Sequence, residues 1–136
     1  MSVFEQDLLA QGIFYTKVPV KSYREYLDKI KSERGYITED VVELSEQQSD
    51  YGTINDKFSR EHSHSDDEVR YVLEGDGIFD IRSKDDLWIR LFVEPSDFIT
   101  IPKGRNHCFQ LRRGRIKAVR LFADAAGWHP TYRIFT

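Results

Sequence analysis

One short segment constrains the fold and the chemistry of this chain more than any other. It carries His62 and His64 two residues apart, and Glu68 four residues further on. On an extended backbone, side chains alternate between two faces, so these three residues share one side with Asp66 and Arg70. Two imidazoles and a carboxylate on one face suit a first-row divalent metal ion. The segment therefore predicts a metal site built on a β-strand.

A second segment supplies a fourth candidate ligand, His107, in the pattern P-x-G-x2-H. Asp66 has the same strand parity as Glu68 and is a rival ligand, but it lies in a predicted exposed acidic turn, whereas the strand of Glu68 continues. The expected ligands of one ion per chain are His62, His64, Glu68 and His107. This set leaves two open positions on an octahedral ion, which favours Fe²⁺, Ni²⁺, Co²⁺ or Mn²⁺ over a closed zinc site.

After residue 61 the sequence predicts short strands separated by turns. Val69, Tyr71 and Leu73 recur at the two-residue spacing of one strand face, and the glycines in residues 75–77 predict a tight hairpin turn. Residues 112–115 predict another turn. Several short strands at an even spacing indicate an antiparallel sandwich or barrel. We expect residues 61–136 to form a barrel core that holds the metal site.

The first part of the chain mixes helical and strand patterns. Ser22 followed by Glu25 has the capping-box pattern of a helix start, and Gly35 predicts the end of that helix. We expect residues 1–60 to pack on the barrel, within one domain that spans residues 1–136. The predicted elements are helices over residues 5–11, 22–34 and 52–60, and strands over residues 13–18 and 41–44.

Composition excludes several classes of function. A net charge of -3 over 136 residues gives no general attraction to nucleic acid or to anionic membranes. Cys108 is the only cysteine, so nothing requires an oxidising compartment. No apolar run approaches the ~20 residues of a transmembrane helix, and the start of the chain does not have the pattern of a signal peptide. We expect a cytoplasmic protein that binds neither nucleic acid nor membranes, and the oligomeric state is left open.

The two motifs resemble those of a known superfamily. The patterns H-x-H-x3-E-x6-G over residues 62–75 and P-x-G-x2-H over residues 102–107 are cupin signatures. They imply a mainly β fold, the cupin double-stranded β-helix or jelly-roll barrel, here with short N-terminal helices. Residues 58–77 closely resemble the acireductone dioxygenases, and the resemblance covers nearly the whole chain. Further matching segments are residues 12–15, 31–36, 79–82, 88–90, 118–122 and 126–128.

The resemblance implies a metal-dependent oxidoreductase of methionine salvage, and hence of amino-acid biosynthesis. Its substrate would be the enediol ketone 1,2-dihydroxy-5-(methylthio)pent-1-en-3-one, which reacts with O₂. With iron the products would be formate and 4-methylthio-2-oxobutanoate, and with nickel they would be carbon monoxide, formate and methylthiopropanoate. The implied partners are this small molecule and O₂, and the implied cofactor is Fe²⁺ or Ni²⁺.

The resemblance also assigns roles to single residues. It gives the four predicted ligands the same role, and it makes Arg70 a catalytic residue that stabilises the enediolate oxygens of the substrate. A salt bridge from Arg70 to an acidic residue of a neighbouring strand is the structural alternative, and core packing is the alternative for the aromatic residues. The side chains implied to bind substrate are Phe58, Arg70, Phe109, Arg120 and Trp128.

Two departures from the family pattern keep other functions open. Asn106 and Cys108 flank His107, where family members usually have an aromatic residue, and the chain ends soon after Trp128, where they often continue. A more open pocket would suit another ligand. One alternative is a metallocupin with a different activity, either another enediol or diketone dioxygenase or an isomerase of secondary metabolism. The other is a non-catalytic metabolite-binding cupin, against which the complete ligand set argues.

Overall fold

A computed structural model describes residues 2–123 and 131–133 of the chain. Helices alternate with strands in the first part, and strands dominate from His62 onward, as the sequence predicted. The helices are α1 (Val3–Ala10), α2 (Tyr23–Arg34), which a 3-10 turn (Val20–Ser22) precedes, and α3 (Tyr51–Ser59). The strands are β1 (Phe14–Lys17), β2 (Thr38–Ser45), β3 (His62–Ser63), β4 (Glu68–Arg82), β5 (Trp88–Val93), β6 (Asp97–Ile101), β7 (His107–Phe122) and β8 (Thr131–Tyr132). Within the described ranges, no helix combines the length and the apolar character needed to cross a membrane.

Two long antiparallel strands, β4 and β7, organise the β-structure because each belongs to two sheets. Their parts nearest Glu68 and Phe122 lie in a first sheet, with the order β1-β6-β4-β7-β2. Their parts nearest Arg82 and His107 lie in a second sheet, with the order β5-β4-β7-β3-β8. Strands that pass from one sheet into the other form the corners of a closed structure. The predicted antiparallel barrel is therefore built on one bent pair of strands.

The bend corrects two sequence predictions. The hairpin predicted at residues 75–77 is wrong, because β4 continues through these residues and both of its parts pair with β7. The turn predicted at residues 112–115 is also wrong, because it lies inside β7. Gly75 has a φ of 75°, and a side chain there would collide with the backbone carbonyl of Arg115. Glycine at positive φ marks hairpin turns and β-bulges alike, and here the partner strand makes it a bulge.

The first 60 residues do more than pack on the barrel. The predicted helices and strands of this part are confirmed, but β1 pairs with β6, and β2 pairs along its whole length with β7. The capping box at Ser22 does not form: its hydroxyl donates to the carbonyl of Pro19 over 3.2 Å, because Ser22 ends a 3-10 turn rather than an extended segment. Gly35 ends α2 with a φ of 73°, as predicted.

Packing outside the barrel decides which side chains face its interior. α2 covers the outer face of the first sheet, where Leu27 and Ile30 join Tyr71 of β4 in a buried cluster. Successive side chains of a strand point in opposite directions, so Arg70 and Val72 point to the other side. Val72 belongs to the second buried cluster, which lies between the sheets. The face of β4 that carries Glu68 and Arg70 therefore points to the interior of the barrel.

Candidate metal centre

His62 and His107 lie directly opposite each other in the paired strands β3 and β7, and their ring centroids are 4.6 Å apart. The Nδ1 atom of His62 lies 2.6 Å from the carbonyl oxygen of Arg60, and that of His107 lies 3.0 Å from the carbonyl oxygen of Arg105. A carbonyl only accepts hydrogen bonds, so Nδ1 carries the hydrogen in both rings. In the neutral rings, both Nε2 atoms therefore have a free lone pair that can bind a metal.

His64 and Glu68 complete the group. Nε2 of His64 lies 3.5 Å from Oε1 of Glu68, and Nε2 of His107 lies 2.8 Å from Oε2 of the same carboxylate. One ligand atom from each of the three histidines lies within 4.8 Å of the other two. The structure thus contains a metal site of three histidines, and it brings Glu68, the fourth residue predicted from sequence, to the same point.

The backbone reaches this arrangement in a different way from the one predicted. The residues from His62 to Arg70 were predicted to lie on one extended strand, but β3 ends at Ser63 and β4 begins at Glu68. Between them the chain turns, and the carboxylate of Asp66 accepts hydrogen bonds from the N–H groups of Asp67 and Ala123. Both carboxylate oxygens of Asp66 therefore accept backbone hydrogen bonds, and in the structure Asp66 is not part of the cluster.

Charges inside the site are strongly coupled. Burial alone would raise the pKa of Glu68, but the charges of Arg70 and His107 hold it well below its ordinary value. Nη2 of Arg70 donates to Oε1 of Glu68 over 2.6 Å. Burial lowers the pKa of His62 to about 4, and His107 adds to the shift. Burial also opposes a charge on His107, but Glu68 outweighs it and raises the pKa of that ring.

The contact between His107 and Glu68 tests whether these residues fit a metal ion. Their facing atoms, Nε2 and Oε2, are both buried and have no hydrogen-bond partner within the described part of the chain, although they lie 2.8 Å apart. With the hydrogen on Nδ1, both atoms present lone pairs to each other. Such a contact is stable only with a proton or a cation between them. Three imidazoles and a carboxylate are a suitable donor set for a first-row divalent cation.

A cavity of about 50 Å³ lies beside this cluster, between the two sheets. Its polar side is formed by His62, Glu68, His107, Arg70 and Arg120. Its other side is apolar, with side chains from both sheets and from α3: Val42, Leu44, Phe58, Val72, Phe79, Phe109, Ile116 and Ala118. The structure therefore places four of the five predicted substrate residues around one cavity. The fifth, Trp128, lies outside the described residues.

Two arginines stand side by side in the wall, at paired positions of β4 and β7. The salt bridge suggested for Arg70 exists, but its partner is Glu68 of the same strand rather than an acidic residue of a neighbouring strand. Arg120 donates from two nitrogens to the two oxygens of Asp40, over 2.7 and 2.6 Å. Asp40 is not among the residues predicted from sequence, and only the register of β2 on β7 identifies it.

Phe58 and Phe109 of the apolar side were predicted, but Val42 and Leu44 were not, although the sequence carried a signal for them. Val42 and Leu44 alternate with exposed Val41 and Glu43 on β2, which is the pattern of a strand with one buried face. Phe79 packs against Phe109, with ring centroids 4.9 Å apart. The alternation predicts which face of β2 is apolar, but it does not tell that this face borders a cavity.

Comparison with known proteins identifies what the chain is similar to. The sequence matches the ARD/ARD′ family over residues 3–130. It is 42% identical over 118 residues to the acireductone dioxygenase of Sulfurihydrogenibium sp., an alignment that covers 86% of this chain and 65% of that relative. It is 41% identical over 129 residues to the acireductone dioxygenase of Heterostelium pallidum, covering 94% of this chain and 88% of that one. The chain thus spans slightly less than two thirds of the first relative and most of the second.

Solved structures give the same picture for the fold. Acireductone dioxygenase from Bacillus anthracis, which holds a cadmium ion in its active centre, superposes with a TM-score of 0.90 at 28% identity, over 95% of this chain and 88% of that one. An oxalate decarboxylase from Lactobacillus farciminis superposes with a TM-score of 0.54 at 13% identity, over 88% of this chain and 30% of that one. The second likeness shows the fold alone. The predicted mainly β cupin barrel with short helices is confirmed.

Proposed function

Since the chain belongs to the ARD/ARD′ family, we propose that it is a metal-dependent acireductone dioxygenase, which cleaves its enediol substrate with O₂ in methionine salvage. One observation carries the proposal: a cluster of three histidines and a glutamate forms one end of a cavity whose other side is apolar. The substrate has the same two parts, three neighbouring oxygens at one end and a methylthioethyl tail at the other. We propose a cytoplasmic location, because a chain with one cysteine does not need an oxidising compartment.

We propose that one ion per chain, Fe²⁺ or Ni²⁺ with Co²⁺ or Mn²⁺ as possible substitutes, is held by His62, His64, Glu68 and His107. When bound, the ion supplies a Lewis acid and a template that orients the substrate oxygens. The chain contributes ligand atoms that are already aimed: the carbonyls of Arg60 and Arg105 fix two of the rings. Hydrogen bonds of this kind set both the tautomer and the orientation of a ligating histidine.

Arg70 is the proposed catalytic residue. Its guanidinium donates to Glu68 and to the carbonyl of Val69, and the side chain also lines the cavity, where its further N–H groups can bind substrate. A buried cation beside the reacting oxygens stabilises the negative charge of an enediolate, and it does so strongly because little water screens it. Arg120 faces the same cavity and is the proposed second contact for the polar end of the substrate.

The apolar side of the cavity favours a short substrate tail. A volume of about 50 Å³ holds roughly three to five groups of the size of a water molecule. The apolar lining suits a methylthioethyl group better than a sugar ring with its hydroxyls. Phe58 and Phe109 meet edge to face at this end, with ring centroids 6.4 Å apart, and we propose that they bind the tail and keep water away from the reacting oxygens.

A different metallocupin activity is the second candidate, and the residues beside His107 suggest it. Asn106 and Cys108 replace the usual aromatic residue, but neither lines the cavity, and Cys108 pairs with Asp80 on the other face of β7. Their substitution therefore leaves the described cavity wall unchanged, which supports the acireductone reaction over the second candidate. The buried, charged Glu68 likewise favours an enzyme over a module that only binds a metabolite.

The proposal is tested by loading metal-free protein with Fe²⁺ or with Ni²⁺ and supplying an acireductone under O₂. We expect O₂ uptake with both ions, formate and a 2-oxo acid with iron, and carbon monoxide with nickel. Metal-free protein serves as the blank. Absence of O₂ uptake by protein shown to contain the ion would remove this function, whereas uptake with other products would favour the second candidate.

A second arm of the experiment tests the apolar wall. A side chain at Gly77 would collide with the ring of Phe109, whereas Gly52 has open space around it. We expect Gly77→Ala to displace the ring and to raise KM by about tenfold, since contacts of one to two methylenes are worth ~1–2 kcal/mol, while the metal content stays unchanged. Gly52→Ala is the matched control. An unchanged KM in Gly77→Ala would mean that Phe109 does not contact the substrate.

A further inference from the structure

The two segments that carry the ligands are fastened to each other outside the barrel. The N–H group of Gly104, in the loop before His107, donates to the carbonyl of His64 over 2.9 Å. The N–H group of Lys103 donates to Oδ1 of Asp67 over 2.9 Å. Both bonds join the loop before His107 to the segment from His64 to Asp67.

The second oxygen of Asp67 is bound as well. The hydroxyl of Tyr36 donates to Oδ2 of Asp67 over 2.8 Å. Tyr36 follows Gly35 at the end of α2, is only 4% exposed, and belongs to the cluster of α2 and the first sheet. Its ring is therefore fixed by packing. The carboxylate of Asp67 thus connects three parts of the fold: the ligand-bearing turn, the loop before His107 and the core beneath α2.

The position of His64 shows why these hydrogen bonds matter for the metal site. His62, Glu68 and His107 all lie in strands, so the sheet fixes their backbone. His64 lies in the turn between β3 and β4, outside both strands. A metal ligand must be held to within about half an ångström of its position, and on a turn this order must come from other contacts. Asp67 is the side chain of this turn that binds both the facing loop and the core.

We propose that Asp67 is a positioning residue of the metal centre, which holds His64 in place by binding the Lys103 N–H group and the Tyr36 hydroxyl. The inference rests on the metal ligands of the proposed function but not on the reaction. Asp67 lies in the acidic turn and is not one of the site residues predicted from sequence. Its carboxylate, together with the bond between Gly104 and His64, holds the turn that carries this ligand.

The test is the dissociation constant of Co²⁺, measured by competition with a chelator, together with the visible spectrum of the Co²⁺ protein. We expect Asp67→Ala to weaken binding by about 10- to 100-fold, as substitutions behind metal ligands do, and to change the spectrum through the altered position of His64. The melting temperature of the metal-free protein should change little by comparison. Asp67→Asn keeps one acceptor for Lys103 and one hydrogen-bonding group for Tyr36, so it should restore most of the affinity.

Two further variants make the outcome decisive. Tyr36→Phe removes one of the two bonds and should weaken binding by several-fold, and Asp85→Ala removes an exposed carboxylate of another turn and should have no effect. A folded Asp67→Ala protein with the wild-type dissociation constant overturns the proposal. If that variant does not fold, a wild-type constant in Tyr36→Phe overturns it. Wild-type protein that binds Co²⁺ but consumes no O₂ when it is loaded with Fe²⁺ or Ni²⁺ and given an acireductone refutes the proposed reaction and leaves this test intact; wild-type protein that binds no Co²⁺ ends both proposals.

Discussion

His62 and His107 have almost the same surroundings, yet the protein shifts their pKa values in opposite directions. They face each other in paired strands, each donates from Nδ1 to the carbonyl two residues before it, and they are 3% and 2% exposed. Burial lowers the pKa of His62 to about 4. The pKa of His107 is raised in spite of the same burial.

The difference comes from one carboxylate oxygen. Oε2 of Glu68 lies 2.8 Å from Nε2 of His107, whereas for His62 the attraction of Glu68 is smaller than the combined effect of burial and of the neighbouring ring. Burial alone therefore does not decide the charge of a ligand in this site. Without metal, the charge of Glu68 favours the protonated form of His107, and an ion that binds between the two residues displaces this proton. Metal and proton compete for the same two atoms.

The largest effect is expected from removing the ring that shares this proton. His107→Ala deletes a ligand rather than a supporting contact, so we expect the affinity for Co²⁺ to fall by more than about 100-fold. Competition with a chelator measures it. His129→Ala, which changes the one histidine outside both motifs, is the control. Affinity within about tenfold of wild type in His107→Ala would show that the ring is not a ligand.

A smaller effect is expected when the charge of the carboxylate is removed but its shape is kept. Glu68→Gln takes away the cause of the raised pKa of His107, so that pKa should fall and approach that of His62. Histidine ring resonances of the metal-free protein, followed by NMR against pH, report both values. Glu61→Gln is the matched control, because the Glu61 carboxylate accepts from Arg82 instead. If the separation of the two pKa values survives in Glu68→Gln, another group controls it.

The smallest effect concerns the stability of the metal-free protein. The folded pKa of His62, about 4, lies below the ordinary value of 6.5, so the unfolded chain binds the extra proton first as pH falls. Stability from this ring is complete above pH 6.5 and should drop by about 2 kcal/mol at pH 5. The raised pKa of His107 acts in the opposite sense, and its contribution is lost as pH rises above 6.5 through the folded pKa.

Urea unfolding of the metal-free protein between pH 5 and pH 8 measures both effects. His62→Gln should remove the loss on the acid side and leave the alkaline side unchanged, because the ring of His107 and Glu68 remain. Stability of His62→Gln that still falls by about 2 kcal/mol from pH 6.5 to pH 5 would contradict the assignment to His62.

Much of the site could be predicted from the sequence, because metal chemistry restricts residue types and strand geometry restricts spacing. His62, His64, Glu68 and His107 were all identified this way, and the structure brings them together. The prediction was wrong about the path between them. The break between β3 and β4 follows from hydrogen bonds of the Asp66 carboxylate to distant and local N–H groups, and alternation within a segment carries no information about such contacts.

The fold shows the same division. The positions of the helices and most of the strands follow from periodicity, and β2 was recognised as a strand before its partner was known. The two glycine bends were predicted as turns, because a positive φ at Gly75 or Gly114 suits a reversal of the chain as well as a bulge. The structure has bulges at these glycines because β4 and β7 remain paired on both sides of the bend.

By itself, the sequence determined which side chains can bind a metal ion and which segments form strands, since both depend on residue type and short-range spacing. Only the tertiary structure decided that Glu68 binds Arg70 on one oxygen and faces His107 with the other, that Arg120 pairs with Asp40, and that Asp67 fastens two loops. Apart from the pair of Glu68 and Arg70 within β4, these contacts join residues from separate strands and loops. Their geometry is set by how the sheets pair and close, and no local pattern in the chain records it.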